Sequence, residues 1–346
     1  MDGTATDRDV LEQKLQNTTA APISLPYEFL KDITGNFSTE QELGRGGYGV
    51  VYKGVLRSGQ IIAVKQLFDS HLLNDEGFQK EITNVMGMKH KNIVQLVGYC
   101  AETRWEAIKL PNGNNVMAEI RKRLICFEYL PNKSLDNYIS DESSGLDWNQ
   151  RYEIIKGIYS GLHFLHGACH IVHLDLKPGN ILMDDAMMPK CADFGLSRLL
   201  GAQKSRTIIC GNIAGSLGYM APEYHIQGVV SPKADIFSFG VIIIEIITGR
   251  KEYPMSIVPY FQQFNANGSS QSSEVSIKQY TKNVLGRWRD VMGKEPKYTS
   301  PDIYTEQVEK CIAMALECLD YDPNRRPCAC DISQMLTGEI VSYMFP

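Results

Sequence analysis

Between His173 and Asn180 the chain reads His-Leu-Asp-Leu-Lys-Pro-Gly-Asn, which places a carboxylate (Asp175), an ammonium (Lys177) and a carboxamide (Asn180) within one loop. A carboxylate can accept or orient a hydroxyl proton, and an ammonium can steady a migrating negative charge. An amide oxygen can ligate magnesium, which prefers oxygen donors. The combination fits phosphoryl transfer. Further on, Asp193-Phe194-Gly195 offers a second magnesium ligand beside a flexible glycine.

Phosphates would need a cradle. Gly44, Gly46 and Gly49 form a G-x-G-x-x-G, a pattern that dinucleotide-binding folds also use ahead of a helix. Here the following Val50, Val51 and Tyr52 are β-branched and aromatic, so the glycines are expected at the tip of a hairpin. No Gly-Lys-Ser/Thr follows to make a Walker loop, and bare backbone at the tip can approach phosphates closely. In Ile61 to Lys65 the strand period of two places Ala63 and Lys65 on one face, the first small enough for a flat base. Taken alone, Lys65 reads as a solvent-facing lysine. Glu81 on the next helical stretch changes that reading, because a lysine inside a cleft needs a partner to hold its charge and position.

The elements that must carry these residues change character along the chain. Residues Asp9 to Asn17 have Val10, Leu11 and Leu15 at helix-like spacing, read as a short leading helix in a mobile tail. From about Phe37 to Leu130 strand signals dominate, in Ile61 to Leu67, Val94 to Tyr99 and Leu124 to Tyr129. One helix interrupts them, with Phe78, Ile82, Val85 and Met86 expected on one face. After Pro131 the period is helical, in Trp148 to His166, Phe237 to Ile247 and Val308 to Leu319. Two insert-like stretches, Glu102 to Lys122 and Asn265 to Glu274, are polar enough to be expected as surface loops, the second as a disordered one.

Composition sets bounds on function. The 346 residues suit two modest subdomains, and 43% hydrophobic with 22% charged residues is ordinary for a soluble protein. A net charge of -5 argues against nucleic acid or a polybasic membrane surface. Nine scattered cysteines fit reduced thiols in the cytosol. His163, His166, His170 and His173 straddle a helix end and the loop after it, so they read as packing and loop histidines, not metal ligands. No export signal opens the chain, and Asp2 stands where myristoylation needs glycine. Phe237 to Thr248 is about half a membrane-spanning length and contains Glu245, so no transmembrane segment is expected.

Taken in order, Gly44/Gly46/Gly49, Lys65, Glu81, Asp175 with Asn180, Asp193-Phe194-Gly195 and Ala221-Pro222-Glu223 resemble the signature of the eukaryotic protein kinases. The resemblance covers roughly residues 38–340, and the ordered set is far more specific than any member. It implies an α+β, two-lobed protein-kinase fold. Residues 1–37 would be a tail and leading segment, 38–130 a small antiparallel-sheet lobe with one main helix and the hinge, 131–340 a mostly helical lobe, and 341–346 the C-terminal end. It also implies ATP and Mg2+, with Mn2+ as a substitute. Lys65, paired with Glu81, would hold the α- and β-phosphates, and Asp193 with Asn180 would bind magnesium. Asp175 would serve the acceptor hydroxyl while Lys177 contacts the γ-phosphate. Val51, Ala63 and Leu182 would sandwich adenine, the backbone of Glu128 and Leu130 would bond its edge, and Phe127 would be the gatekeeper. Phe194 belongs to the Asp-Phe-Gly turn, Glu223 and Arg326 would form a buried structural ion pair, and Asp235 would brace the catalytic loop.

Asp175-Leu176-Lys177-Pro178 and Gly215-Ser216-Leu217-Gly218-Tyr219 are similar to the serine/threonine branch, with Ser216 where that branch usually has threonine. Leu25 to Phe37, Asn92 to Cys100, Phe127 to Leu135 and Asp235 to Gly240 resemble plant receptor-like kinases and their interleukin-receptor-associated relatives. Receptor-like cytoplasmic kinases are the nearest match, and Met1 favours a complete chain over a receptor fragment. The implied partners are a protein with a Ser/Thr acceptor and an upstream receptor kinase, the implied location the cytoplasm, with recruitment by a partner to the inner face of the plasma membrane as an option. Leu174 stands where most of the family has an arginine that clamps an activation-loop phosphate. Activity is therefore expected to depend less on phosphorylation between Asp193 and Glu223, where Ser205, Thr207 and Ser216 are candidate sites. Two other readings stay open: a low-activity or pseudokinase scaffold, and a small-molecule kinase, which the peptide-docking surface expected around Ala221-Pro222-Glu223 disfavours.

Overall fold

The computed structural model describes residues 9–13, 15, 21–68, 75–139, 146–200, 205–209, 213–250 and 277–337. The expected disordered stretch Asn265 to Glu274 and the N- and C-terminal ends lie outside them. Chain contacts divide the fold into two units, Met1–Leu130 and Pro131–Pro346. The first is built on a sheet and the second on helices, an α+β fold.

In the first unit six strands, β1 (Ile23–Ser24), β2 (Glu42–Gly46), β3 (Gly49–Val55), β4 (Ile61–Leu67), β5 (Leu96–Lys109) and β6 (Asn115–Glu128), form one sheet in the order β1-β5-β6-β4-β3-β2. All neighbours are antiparallel except β1 beside β5. The period of two sorts the central strands cleanly. Ile62 and Val64 of β4 and Leu124 and Cys126 of β6 join a buried cluster with Leu25, Phe29, Leu30 and Ile33. The last three lie on helix α1 (Tyr27–Ile33), so residues ahead of the sheet cover its far face. The opposite face therefore carries Ala63 and Lys65.

The leading helix is present over residues 9–13 and 15, but it is not a free tail there. Leu15 is 3% exposed within the same cluster, and the Glu12 carboxylate accepts the Arg57 N–H at 3.1 Å. Helix α2 (Asp75–Val85) buries Phe78, Ile82 and Val85. Met86, expected beside them, is 47% exposed. The helix stops at Val85, Gly87 turns the chain at φ +85°, and Met88 goes inside instead.

Glu102 to Lys122 is not a loop. Its residues continue β5 and β6 as a paired ribbon, in register from Ala101↔Arg123 to Lys109↔Asn115. Leu110-Pro111-Asn112-Gly113 closes it: the Gly113 N–H donates to the Leu110 carbonyl at 2.9 Å with Gly113 at φ +86°. Proline early in a turn and glycine in the left-handed position are what such a hairpin requires. Both faces of the ribbon are solvated, so the alternation that normally betrays a strand is missing.

The second unit holds α3 (Asp136–Ile139), α4 (Trp148–Gly167), α5 (Pro222–Gln227), α6 (Pro232–Thr248), α7 (Ile277–Lys294), α8 (Pro301–Cys318) and α9 (Ala329–Thr337). Asp147 and Gln150 start α4 with a reciprocal capping box, an arrangement whose loss costs about 1 kcal/mol. Helix α6 is buried almost throughout, which explains its mostly apolar sequence. Short strands fix the loops between helices: β7 (Ile171–Val172) pairs with β10 (Arg198–Leu199), β8 (Ile181–Met183) with β9 (Pro189–Cys191), and β11 (Thr207–Ile208) with β12 (Val229–Val230). Among the described residues no helix is long and apolar enough to cross a membrane.

Candidate functional site

The first unit contributes an ion pair and a glycine hairpin. The Lys65 Nζ lies 2.9 Å from Glu81 Oε1, with the two side chains only 10% and 5% exposed. Register places Val51 opposite Lys65 and Phe127 opposite Ala63, so the four share one face of the sheet. At the end of β6, Glu128 and Gln95 are tied twice: the Glu128 N–H donates to the Gln95 carbonyl at 3.0 Å, and the Glu128 carboxylate accepts the Gln95 N–H at 2.8 Å. Leu130, two residues on, closes the unit.

The three motif glycines do different work. A methyl group on Gly49 would stand 2.3 Å from the Gln66 carbonyl oxygen, so only glycine lets β3 approach β4 there. Gly44 and Gly46 have no atom within 4 Å of the same position. Their missing side chains leave backbone open to a ligand.

In the second unit β7 delivers the chain into the loop that carries Asp175. The Asp175 carboxylate is held from both oxygens: Oδ2 accepts from Asn180 Nδ2 at 3.0 Å and from Lys177 Nζ at 3.0 Å, and Oδ1 accepts from the Ser216 hydroxyl at 2.7 Å. Lys177 Nζ also donates to Ser216 Oγ at 2.7 Å. A serine hydroxyl thus sits against both a carboxylate and an ammonium.

The Asn180 amide nitrogen also donates to the Asp175 carbonyl at 2.8 Å, so its hydrogen-bond donors are directed at Asp175 and its carbonyl oxygen is the group suited to a cation. Asp193 is brought alongside through the β8–β9 hairpin, where the Ala192 N–H donates to the Asn180 carbonyl at 2.9 Å. One carboxylate and one carboxamide, both hard oxygen donors, fit Mg2+, which completes its shell with phosphate oxygens and water. Asp193 adopts φ +65° and is followed by Phe194, 1% exposed and packed 5.0 Å from the His173 ring. Leu182, in the middle of β8, is half-buried and bridges to Ser134.

The loop is braced from α6. Asp235, fully buried, accepts the N–H groups of His173 at 2.7 Å and Leu174 at 2.8 Å, and its Oδ2 lies 2.8 Å from His166 Nε2. Burial pushes the Asp235 carboxyl up, but the hydrogen bond and charge of His166, with His173 behind them, hold it below its usual value. Leu174 is 4% exposed and sits at φ +67°, a left-handed conformation that leucine adopts at a cost. Arg326 donates twice to Glu223, 2.7 Å each, and its other donors reach the carbonyls of Asp320 and Lys233. Ser205 is exposed, and Thr207 lies in β11.

Sequence reasoning did not anticipate His166 as the partner of Asp235, nor Gln95 as the clasp on Glu128. Neither spacing carries a signal, since both pairs meet only through tertiary packing. The four histidines have separate settings: His163 faces the Tyr159 hydroxyl, His166 meets Asp235, His173 Nε2 lies 3.0 Å from the Ala192 carbonyl, and His170 stands just before β7 at φ +54°.

The family model of the protein kinase domain matches residues 37–336. The chain belongs to the protein kinase domain family. Among curated relatives it is similar to cysteine-rich receptor-like protein kinase 44 of Arabidopsis thaliana, 36% identical over 347 residues, covering 97% of this chain and 81% of that protein. It is 38% identical over 328 residues to cysteine-rich receptor-like protein kinase 28 and 37% over 344 residues to kinase 29 of the same plant. Those alignments take in 92% and 97% of this chain but only 43% and 45% of the relatives. The protein kinase fold accounts for the sheet unit with its lysine–glutamate pair and for the helical unit with its loop around Asp175, and the family implies ATP with a divalent cation.

Proposed function

We propose that the chain is a protein serine/threonine kinase that moves the γ-phosphoryl group of Mg-ATP onto a protein hydroxyl, with Asp175 orienting that hydroxyl. The observation that carries the reading is the seat of Ser216, a short aliphatic hydroxyl held 2.7 Å from Asp175 and 2.7 Å from Lys177. An incoming serine or threonine offers the same group to the same pair. Asp175 accepts its proton in a hydrogen bond, Asn180 fixes the carboxylate's direction, and Lys177 meets the negative charge carried by the group in transit. Lys65, kept in place by Glu81, contacts the α- and β-phosphates, and the open backbone of Gly44 and Gly46 lets the glycine hairpin lie against them. Asn180 and Asp193 hold magnesium, which when bound neutralises phosphate charge. Val51, Ala63 and Leu182 flank the base, the backbone of Glu128 and Leu130 bonds its edge, and Phe127 limits the depth of its site.

The receptor-like kinase names of the relatives favour a place in receptor-linked signalling, as a receptor-like cytoplasmic kinase with an upstream receptor kinase as partner. Magnesium-dependent phosphotransfer to a protein acceptor by wild type, compared with Asp175→Asn and Lys65→Met, tests the catalytic reading. Each variant is expected to lose about 10²–10⁴-fold, the range for removing a positioned proton-transfer or charge-stabilising group. Equal rates would instead favour a nucleotide-binding scaffold. Phosphoserine and phosphothreonine in the product support the acceptor class, and phosphotyrosine as the main product refutes it.

A further inference from the structure

The β5–β6 ribbon extends well past its neighbours. Strand β1 pairs with β5 only at Gly98 and Tyr99, and β4 pairs with β6 only from Leu124 to Glu128. Among the described residues the outer edge of β5 from Arg104 to Lys109 therefore has no strand beside it. Large apolar side chains stand in solvent on this same piece: Trp105 is 65% exposed, Met117 61%, Val116 40% and Ile108 39%. Trp105 is opposite Glu119 and Ala107 opposite Met117, so Trp105 and Met117 are diagonal neighbours on one face. An open edge with exposed aromatic and aliphatic side chains is a template for a further strand.

The sequence of that edge says which strand fits. Read antiparallel to itself about Trp105, the segment Thr103-Arg104-Trp105-Glu106-Ala107 sets Arg104 of one copy against Glu106 of the other, twice, and Thr103 against Ala107. The two tryptophans then meet at the dyad and continue the apolar diagonal through both Met117 side chains, with the two ion pairs on the opposite face. Within one chain Arg104 contacts Glu102 at 2.6 Å and Glu28 at 3.5 Å yet keeps 48% of its side chain exposed, so a further carboxylate has access to it.

We propose that the outer edge of β5 is a self-association site, joining two copies of this chain into a continuous sheet across a twofold axis at Trp105. The pairing is independent of phosphoryl transfer, so Asp175→Asn associates like wild type. Sedimentation or light scattering on the whole chain should show a dimer dissociating at about 1–100 µM. Arg104→Glu and Glu106→Arg each turn the two attractive pairs into repulsive ones, and each should weaken the dimer about tenfold or more. Mixing the two variants in equal amounts restores opposite charges at both pairs, and a heterodimer of wild-type affinity is expected. Unchanged melting temperatures of the separate variants show that the ribbon still folds. A wild-type chain that stays monomeric to about 200 µM overturns the proposal. So does a dimer that the single variants leave intact or that their mixture does not restore.

Discussion

Replacing Asp235 by asparagine tests how the loop that carries Asp175 is held. The carboxylate accepts from the N–H of His173 and of Leu174 and meets His166, all within 2.7–2.8 Å and in full burial. Asparagine keeps the shape but has one acceptor oxygen and an amide that donates. Whichever way the amide is turned, one buried backbone N–H faces another donor. A hydrogen bond to a charged group contributes about 1.5–3 kcal/mol, and an orphaned buried donor costs about 1–3 kcal/mol. The expected loss is thus roughly 2.5–6 kcal/mol, a large part of the ~5–15 kcal/mol that holds a typical domain. Leu174, kept at φ +67° partly by its bond to Asp235, is then released, and Asp175 moves with it. Urea unfolding at pH 7 measures the stability and phosphotransfer measures the loop. Because the folded carboxyl titrates below its unfolded value, the stabilisation is fully present above the unfolded pKa and is lost as pH falls through the folded one. The gap between wild type and variant should stay constant down to about pH 4 and narrow below it. A variant within about 1 kcal/mol of wild type and fully active would refute the argument.

Two further outcomes follow from other parts of the site. Gly49→Ala should lower the melting temperature markedly, because its methyl group meets the Gln66 backbone, whereas Gly46→Ala should melt like wild type and raise the KM for ATP; equal melting curves for the two would contradict the division of labour among the glycines. Leu174 is buried and carries no charge that could hold a phosphate, so phosphatase-treated protein should keep most of its turnover, and abolition of turnover would show that phosphate is required after all.

Much of the site could be read from the chain because its parts are local. Asp175, Lys177 and Asn180 share one loop, and Ala63 and Lys65 share a strand face by period alone. The pairing of Lys65 with Glu81 needed only the argument that a buried ammonium demands a partner. What escaped was tertiary. His166 reaches Asp235 across two helices, and nothing in the spacing of either residue says so. Glu102 to Lys122 reads as a loop by composition because charged residues occupy both faces of the ribbon, although Leu110-Pro111-Asn112-Gly113 is a turn signal that outweighs composition. Met86 is expected inside because the helical period continues on paper past Val85, where the helix stops ahead of the Gly87 turn.

The segment ahead of the sheet has a practical meaning for anyone who shortens this protein. The family match begins at residue 37, yet Leu15, Leu25, Phe29, Leu30 and Ile33 are all buried against β4 and β6. At about 1.5–3 kcal/mol for each such side chain, a fragment trimmed to the family boundary would forgo burial comparable to the whole stability of a domain. It would also uncover a sticky apolar surface and precipitate. The length that the family model recognises is shorter than the length that folds.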